Sequence, residues 1–277
     1  MRGKVVVITG ATSGIGSVAA EQLAAKGARI VMVARDKNRA EAQLQRLPGT
    51  ARHSVYYGDL SQISEMKRVG SEIAAAEERI DVLINNAGAL FNQRSVTPDG
   101  LESTFATNHM SYFVLTEMLR TRLLGSAPAR IINTSSDAHK RAQIDFSDLQ
   151  SASRYRGFGV YGKSKLCNIL FTRQLARTLA GTRVTANSLH PGFVATRFGD
   201  NSGGMLSMLV RMAKSFAITP EKGAETIVYL ASSNDVAGVT GEYFYKCRTA
   251  TPTKEARDDA AAQRLWQESE RLAGFAG

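Results

Sequence analysis

The strongest constraint on the fold of this chain is its regular alternation of short apolar runs with longer helical patterns. Val5 to Thr9, Arg29 to Ala34, His53 to Tyr57, Ile80 to Ile84, Arg130 to Thr134, Arg183 to Leu189 and Gly241 to Tyr245 read as strands. Ile15 to Lys26, Asp36 to Leu47, Ser61 to Glu78, Leu101 to Leu124, Gly159 to Leu179 and Pro220 to Ala231 read as helices. Gly27 ends the first helix as a C-cap, and Pro48-Gly49 stops the second. The strand runs are apolar on both faces, which calls for parallel strands with helices above and below. Crossovers between parallel strands are right-handed. The expected fold is therefore α/β: a doubly wound, Rossmann-type sheet of about seven parallel strands. No composition break, linker or repeat divides the chain, so residues 1–277 are read as one domain. A substrate loop is expected at about 195–220 and a helix bearing Trp266 at about 253–272, packed on the surface.

Composition excludes several other classes. Of 277 residues, 43% are hydrophobic and 22% charged, with no long single-sign block, so the chain is neither disordered nor collagen-like. No apolar run approaches the ~18–20 residues that span a bilayer. Met1 to Lys4 lead straight into a short apolar run, without the longer apolar stretch of a secretion signal. Two cysteines, Cys167 and Cys247, form no disulfide framework, and a reducing cytoplasm is the expected location. The net charge of +10 is spread without a basic tract. That argues against nucleic acid and suits a phosphate-rich cofactor, with weak peripheral contact with anionic lipid as a lesser use. His53, His109, His139 and His190 show no metal-ligand spacing, and no metal is expected.

Four motifs carry chemistry. After the first strand comes Thr9-Gly10-Ala11-Thr12-Ser13-Gly14-Ile15-Gly16, with glycines spaced G-x-x-x-G-x-G. Such glycines let the backbone turn tightly and approach a pyrophosphate above a helix N-terminus. After the fourth strand, Asn85-Asn86-Ala87-Gly88 suits the wall of a ligand crevice, though Asn and Gly are also ordinary turn residues. The fifth strand delivers Asn133-Thr134-Ser135-Ser136; a serine hydroxyl there can bond a carbonyl oxygen, or simply cap a turn. Finally, Tyr161 and Lys165 stand four apart in a helical pattern and share a face. A nearby ammonium lowers a tyrosine pKa from near ~10 and makes it a general acid/base. Taken alone, the same pair is an ordinary solvated helix face.

Together these stretches resemble the short-chain dehydrogenase/reductase family. The glycine loop, Asn85 to Gly88, Ser136, Tyr161-x-x-x-Lys165 and His190-Pro191-Gly192-Phe193-Val194-Ala195-Thr196 follow the family's order over nearly the whole chain. Within it, the chain is most similar to the retinol dehydrogenase-like branch. The similar stretches are Asn133 to His139, Phe146 to Gln150, Tyr161 to Leu166, Leu170 to Thr172, Gly241 to Phe244 and Ala261 to Trp266. Members of that branch usually carry an N-terminal membrane anchor or signal, and none is read here. Ser136 lies 25 positions before Tyr161, and the extra segment Ala142 to Gly157 fits the branch.

The resemblance implies an NADP(H)-dependent oxidoreductase acting on a carbonyl/alcohol pair. Ser136 would orient the carbonyl and Tyr161 would donate the proton. Lys165 would lower the tyrosine pKa and bind the nicotinamide ribose. Asn108 would hold a water that connects Lys165 to solvent. The implied cofactor residues are Gly10, Thr12, Ser13, Gly14, Ile15, Gly16, Arg35, Asp59, Leu60, Asn86, Ala87, Gly88, Tyr161, Lys165, Pro191, Gly192, Val194 and Thr196. Asp59 also reads as a plain helix-starting residue, Ser135 and Tyr155 are weaker candidates, and His190 and Cys167 read as structural.

Cofactor choice turns on the end of the second strand. Ala34 occupies the position where NAD-preferring folds place an acid, and Arg35 follows it directly. A guanidinium there can hold a 2′-phosphate bidentately, so NADP(H) is expected over NAD(H). Met205 to Phe216, preceded by Ser202-Gly203-Gly204, reads as a Met-rich lid, or else as a core helix. The lid reading favours a lipophilic substrate. A homodimer or homotetramer is expected. Two rival functions share the fold: a non-catalytic NADP(H)-binding sensor, and a nucleotide-sugar epimerase, for whose separate substrate region the chain lacks room.

Overall fold

The computed structural model describes residues 1–192 and 218–275. Strands β1 (Val5–Thr9), β2 (Arg29–Ala34), β3 (Ser54–Tyr57), β4 (Val82–Asn85), β5 (Ala129–Thr134), β6 (Val184–Leu189), β7 (Tyr243–Tyr245) and β8 (Arg248–Thr249) form one sheet. Its order is β3-β2-β1-β4-β5-β6-β7-β8. The first seven strands pair in parallel, as the apolar runs require. The eighth was not expected: β8 pairs antiparallel with β7 across a tight turn at Lys246 and Cys247. Both turn residues have positive φ, 49° and 58°, with none of the glycine or asparagine that usually announces such a turn.

Side chains alternate across the sheet, and both faces are buried. On one side Val6, Ile8, Ile30, Met32, Ile84, Ile132 and Leu189 meet α1 (Gly14–Ala25) and α7 (Pro220–Ser232). On the other, Val7, Val31, Leu83, Ile131 and Ala186 meet α3 (Ile63–Ala76), α5 (Ser111–Gly125) and α6 (Gly157–Thr178). Helix α2 (Lys37–Arg46) starts directly after β2, where the Asp36 carboxylate caps it by accepting from the Arg39 backbone N–H at 3.0 Å. That bond gives Asp36 a capping role, and Arg35, the first residue beyond the strand, is exposed and faces the Asp59 carboxylate at 4.0 Å.

Two helical regions differ from expectation. The pattern over Leu101 to Leu124 is not one helix. A short turn α4 (Ser103–Phe105) passes through a π-helical turn (Ala106–Met110) before α5 begins. The C-terminal helix α8 (Asp259–Ala273) is part of the main core rather than a surface addition. Ala262, Leu265, Trp266, Ser269 and Ala273 are buried at helical spacing. The Trp266 ring stacks on Phe171 at 5.9 Å and meets Phe113 edge-on at 5.1 Å.

Candidate active site

The site is assembled at the carboxyl ends of β1, β4, β5 and β6, where open α/β sheets hold ligands. The glycine loop leaves β1 through Gly10, whose φ is +68°. A Cβ on Gly10 would lie 2.8 Å from the Ala87 Cα, and one on Gly16 would collide with the Gly10 carbonyl. Only glycine lets the two turns nest. The loop ends in Ser13, whose side chain makes no capping bond to α1. The first N–H groups of a helix have no partner within it, so this end presents donors to an anion.

A residue absent from the expected set holds the cradle together. The Thr9 hydroxyl accepts from the backbone N–H of both Asn86 and Ala87, each at 2.9 Å. The Asn86 amide donates in turn to the Thr9 and Gly10 carbonyls, both at 3.3 Å, and its Oδ1 accepts from the Thr134 hydroxyl at 3.2 Å. Asn86 is thus a bracket across β1, β4 and β5 beneath the glycine loop. Gly88 leaves the space that Lys165 and Asn108 use: a Cβ there would sit 3.2 Å from Lys165 Nζ and 3.3 Å from Asn108 Oδ1.

Asn108, Ser136, Tyr161 and Lys165 come together around this crevice. Asn108 lies in the π-helical turn, fully buried, and its amide is engaged at both ends. Its Nδ2 donates to the Ala89 carbonyl and the Ser164 hydroxyl, each at 2.9 Å, and its Oδ1 accepts from Ala89 N–H at 2.7 Å. The bonds tie the loop after β4 to α6. Ser136 caps the following 3-10 turn by accepting from Ala138 N–H at 3.2 Å, and its side chain also bonds Tyr161. Lys165 Nζ donates to the Thr134 carbonyl at 3.0 Å and lies 5.7 Å from the Tyr161 ring centroid.

Burial dominates the electrostatics of this group. It pushes the Tyr161 phenol up to about 12, against the smaller downward pull of the Ser136 bond. It pulls the Lys165 ammonium down to about 7. Sequence reasoning expects the lysine to lower the tyrosine; in this structure the cost of removing a phenolate from water is the larger effect. Burial therefore favours the protonated phenol of Tyr161 and the neutral amine of Lys165.

The remaining candidates sort by geometry. Ser135 is structural: its hydroxyl donates to the Lys165 carbonyl at 2.7 Å. Tyr155 is structural too, donating to the Phe91 carbonyl at 2.9 Å. His190 stacks on Tyr245 at 4.1 Å, accepts from Gly192 N–H at 3.2 Å, and is held down to about 4 by burial, hence neutral. Burial pushes the Cys167 thiol up to about 12. Asp59 accepts from Ser61 N–H at 3.0 Å, as a turn-forming residue does, and its other oxygen faces Arg35 at 4.0 Å. Leu60 is buried beside it. Val194, Thr196 and the Met205 to Phe216 segment lie outside the described residues. Among the described residues no group of three His, Cys, Asp or Glu could hold a metal ion.

Arg35 and Arg39 together line a recess at the start of α2. Arg39 lines, with Thr12, Ser13, Gly14 and Ser17, a recess of about 390 Å³ at the mouth of the glycine loop. Arg39 stands four residues after Arg35 at the start of α2. Only the packing of α2 beside α1 shows that it reaches the loop.

The sequence matches the family model for short chain dehydrogenases over residues 4–207. The chain belongs to the short chain dehydrogenase family. Human retinol dehydrogenase 14 is 40% identical over 99% of this chain and 88% of its own length. Mouse retinol dehydrogenase 12 is likewise 40% identical, over 99% and 87%. Among solved structures, an uncharacterized protein from Mycobacterium paratuberculosis superposes with a TM-score of 0.79 at 32% identity, covering 99% of this chain and 94% of its own. The RhlG/NADP active-site complex of Pseudomonas aeruginosa gives 0.71 at 27%, covering 88% and 94%. This short chain dehydrogenase is thus an oxidoreductase of the retinol dehydrogenase-like branch, using NAD(P) on a CH–OH/C=O pair. No helix among its described residues is long and apolar enough to cross a membrane.

Proposed function

We propose that this chain is an NADP(H)-preferring reductase of lipophilic aldehydes or ketones, with Ser136 and Tyr161 as the residues that meet the carbonyl oxygen. The observation that carries the reading is the convergence of Asn108, Ser136, Tyr161 and Lys165 beside a glycine cradle. The cradle fits a dinucleotide: a side chain at Gly10 or Gly16 would fill it, and the uncapped start of α1 faces it. Gly10, Thr12 to Gly16, Ala87 and Gly88 would hold the pyrophosphate and the adjacent sugar. Arg35 and Arg39 would hold a 2′-phosphate, and Pro191 and Gly192 the nicotinamide end. Bound there, the reduced nicotinamide supplies a hydride.

The protein's part is alignment and proton supply. Ser136 and Tyr161 hydroxyls donate to the carbonyl oxygen, where negative charge develops. Tyr161, protonated well past neutral pH, gives its proton to that oxygen. Lys165, 5.7 Å from the ring, stabilises the phenolate left behind when it carries its own proton. Asn108 fixes the Ala89 loop and Ser164, and through them the turn of α6 that bears Tyr161 and Lys165. Both cysteines are free thiols, which suits a reducing compartment such as the cytoplasm. A homodimer or homotetramer is the expected assembly.

The test is a nicotinamide absorbance assay with both cofactors, in both directions, over alkanals, aromatic ketones and the matching alcohols. Turnover of apolar carbonyls with NADPH is expected. Tight NADPH binding without turnover of any of them would favour the sensor reading instead.

A further inference from the structure

We propose that Phe158 is a specificity-determining residue of this site, its ring forming the platform on which the apolar substituent of the carbonyl substrate lies. The assignment rests on the carbonyl reductase reading above. Phe158, Tyr161 and Lys165 sit at i, i+3 and i+7 on α6 and share one helix face. The Phe158 and Tyr161 ring centroids are 6.4 Å apart, inclined by 38°. Phe158 is 51% exposed. Among the described residues only Val96 and Leu124 are comparable exposed large hydrophobics, and Phe158 alone of the three is aromatic and next to the proposed proton donor.

The ring is half-exposed while the turn that carries it is packed. Gly157 and Gly159 flank it, so neither sequence neighbour carries a side chain beside it. A Cβ on Gly157 would strike the Phe91 carbonyl, the same oxygen that accepts from the Tyr155 hydroxyl at 2.9 Å. The first turn of α6 is thereby packed against the loop after β4, and that turn carries Phe158 beside the Tyr161 ring. A half-exposed phenylalanine adds little to folding, whereas covering it with an apolar group is favourable. A substrate whose carbonyl oxygen is held by Ser136 and Tyr161 extends its substituent along this helix face. An apolar substituent covers the ring; a small or polyhydroxylated one leaves it wet.

The experiment measures kcat and KM for propanal, hexanal and nonanal with wild type, Phe158→Ala and Phe158→Leu. NADPH affinity and melting temperature are followed in parallel. In the wild type, KM falls along the series. Phe158→Ala raises KM for nonanal about fivefold, about 1 kcal/mol, and leaves propanal, kcat and NADPH affinity within about twofold. Phe158→Leu, which keeps apolar area, lies between the two. An unchanged KM for nonanal, or an equal rise for all three aldehydes, overturns the assignment of Phe158 while leaving the reductase reading intact. A wild type that binds NADPH but turns over neither these aldehydes nor the aromatic ketones overturns both.

Discussion

Replacing Thr9 by valine tests whether the cofactor cradle is held together from below. Thr9 is 1% exposed, and its hydroxyl is the acceptor for two backbone donors, Asn86 and Ala87 N–H. Valine keeps the shape and removes the acceptor, so both N–H groups lose their partner at once. An unsatisfied buried donor costs about 1–3 kcal/mol. Asn86 and Ala87 are only half-buried, so water recovers part of each loss, and about 2 kcal/mol in total is expected. For a domain of this size that is a fall of about 4–8 °C in melting temperature. The same two residues floor the glycine loop, so NADPH affinity should drop about tenfold, or about 1.4 kcal/mol. Urea unfolding followed by circular dichroism gives the first number, and titration of NADPH fluorescence the second. Thr9→Ser, which restores the acceptor, should recover most of both. A valine variant with wild-type stability and NADPH affinity would show that the two bonds do not set the cradle.

Three further outcomes follow from the site. Tyr161→Phe keeps the ring and loses the proton, so kcat should fall by about 10²–10⁴ with NADPH affinity nearly unchanged, as stopped-flow and binding titration would show. Arg35→Ala and Arg39→Ala should each weaken NADPH by about tenfold and leave NADH nearly unaltered, against a wild-type preference for NADPH of at least about tenfold; equal losses for both cofactors would remove the 2′-phosphate role. Lys165 is held down to about 7 and Tyr161 up to about 12, so the ammonium is lost first as pH rises. kcat/KM for NADPH, which reports free-enzyme ionisations, should therefore be highest below pH about 7 and fall through it, and a flat profile would contradict the lysine's part.

The parallel sheet and the glycine loop were legible because each is a local pattern: apolar on both faces in one case, three glycines at a strand end in the other. Tyr161 and Lys165 were legible as a pair by helical spacing. Their protonation was not, because it depends on how deeply α6 is buried. Arg39 reads as one more charge on an exposed helix until α2 is packed beside α1. Thr9 reads as the last strand residue, and only the close approach of the loop after β4 gives its hydroxyl two donors. The β7–β8 turn was silent because Lys246 and Cys247 adopt left-handed backbone without the residues that usually mark it. The role of Ser136 stayed double: it caps a turn and also bonds Tyr161.

The π-helical turn at Ala106–Met110 makes chain length, rather than composition, the sensitive quantity in this part of the molecule. Such a turn holds one residue more than an α-helix would. Ser111 marks the return to regular winding, its hydroxyl donating to the Thr107 carbonyl at 2.6 Å. A one-residue deletion between Phe105 and Ser111 would relax the turn into ordinary α-helix and rotate what precedes it by about 100° relative to α5. Glu102, whose buried carboxylate accepts from Thr104 and Phe105 N–H at 2.7 and 2.8 Å, would be turned away from its present surroundings. Asn108 would swing off Ala89 and Ser164. The deleted chain could keep every apolar contact of α5 and still lose the reaction, so the surplus residue acts as a spacer whose presence matters more than its identity.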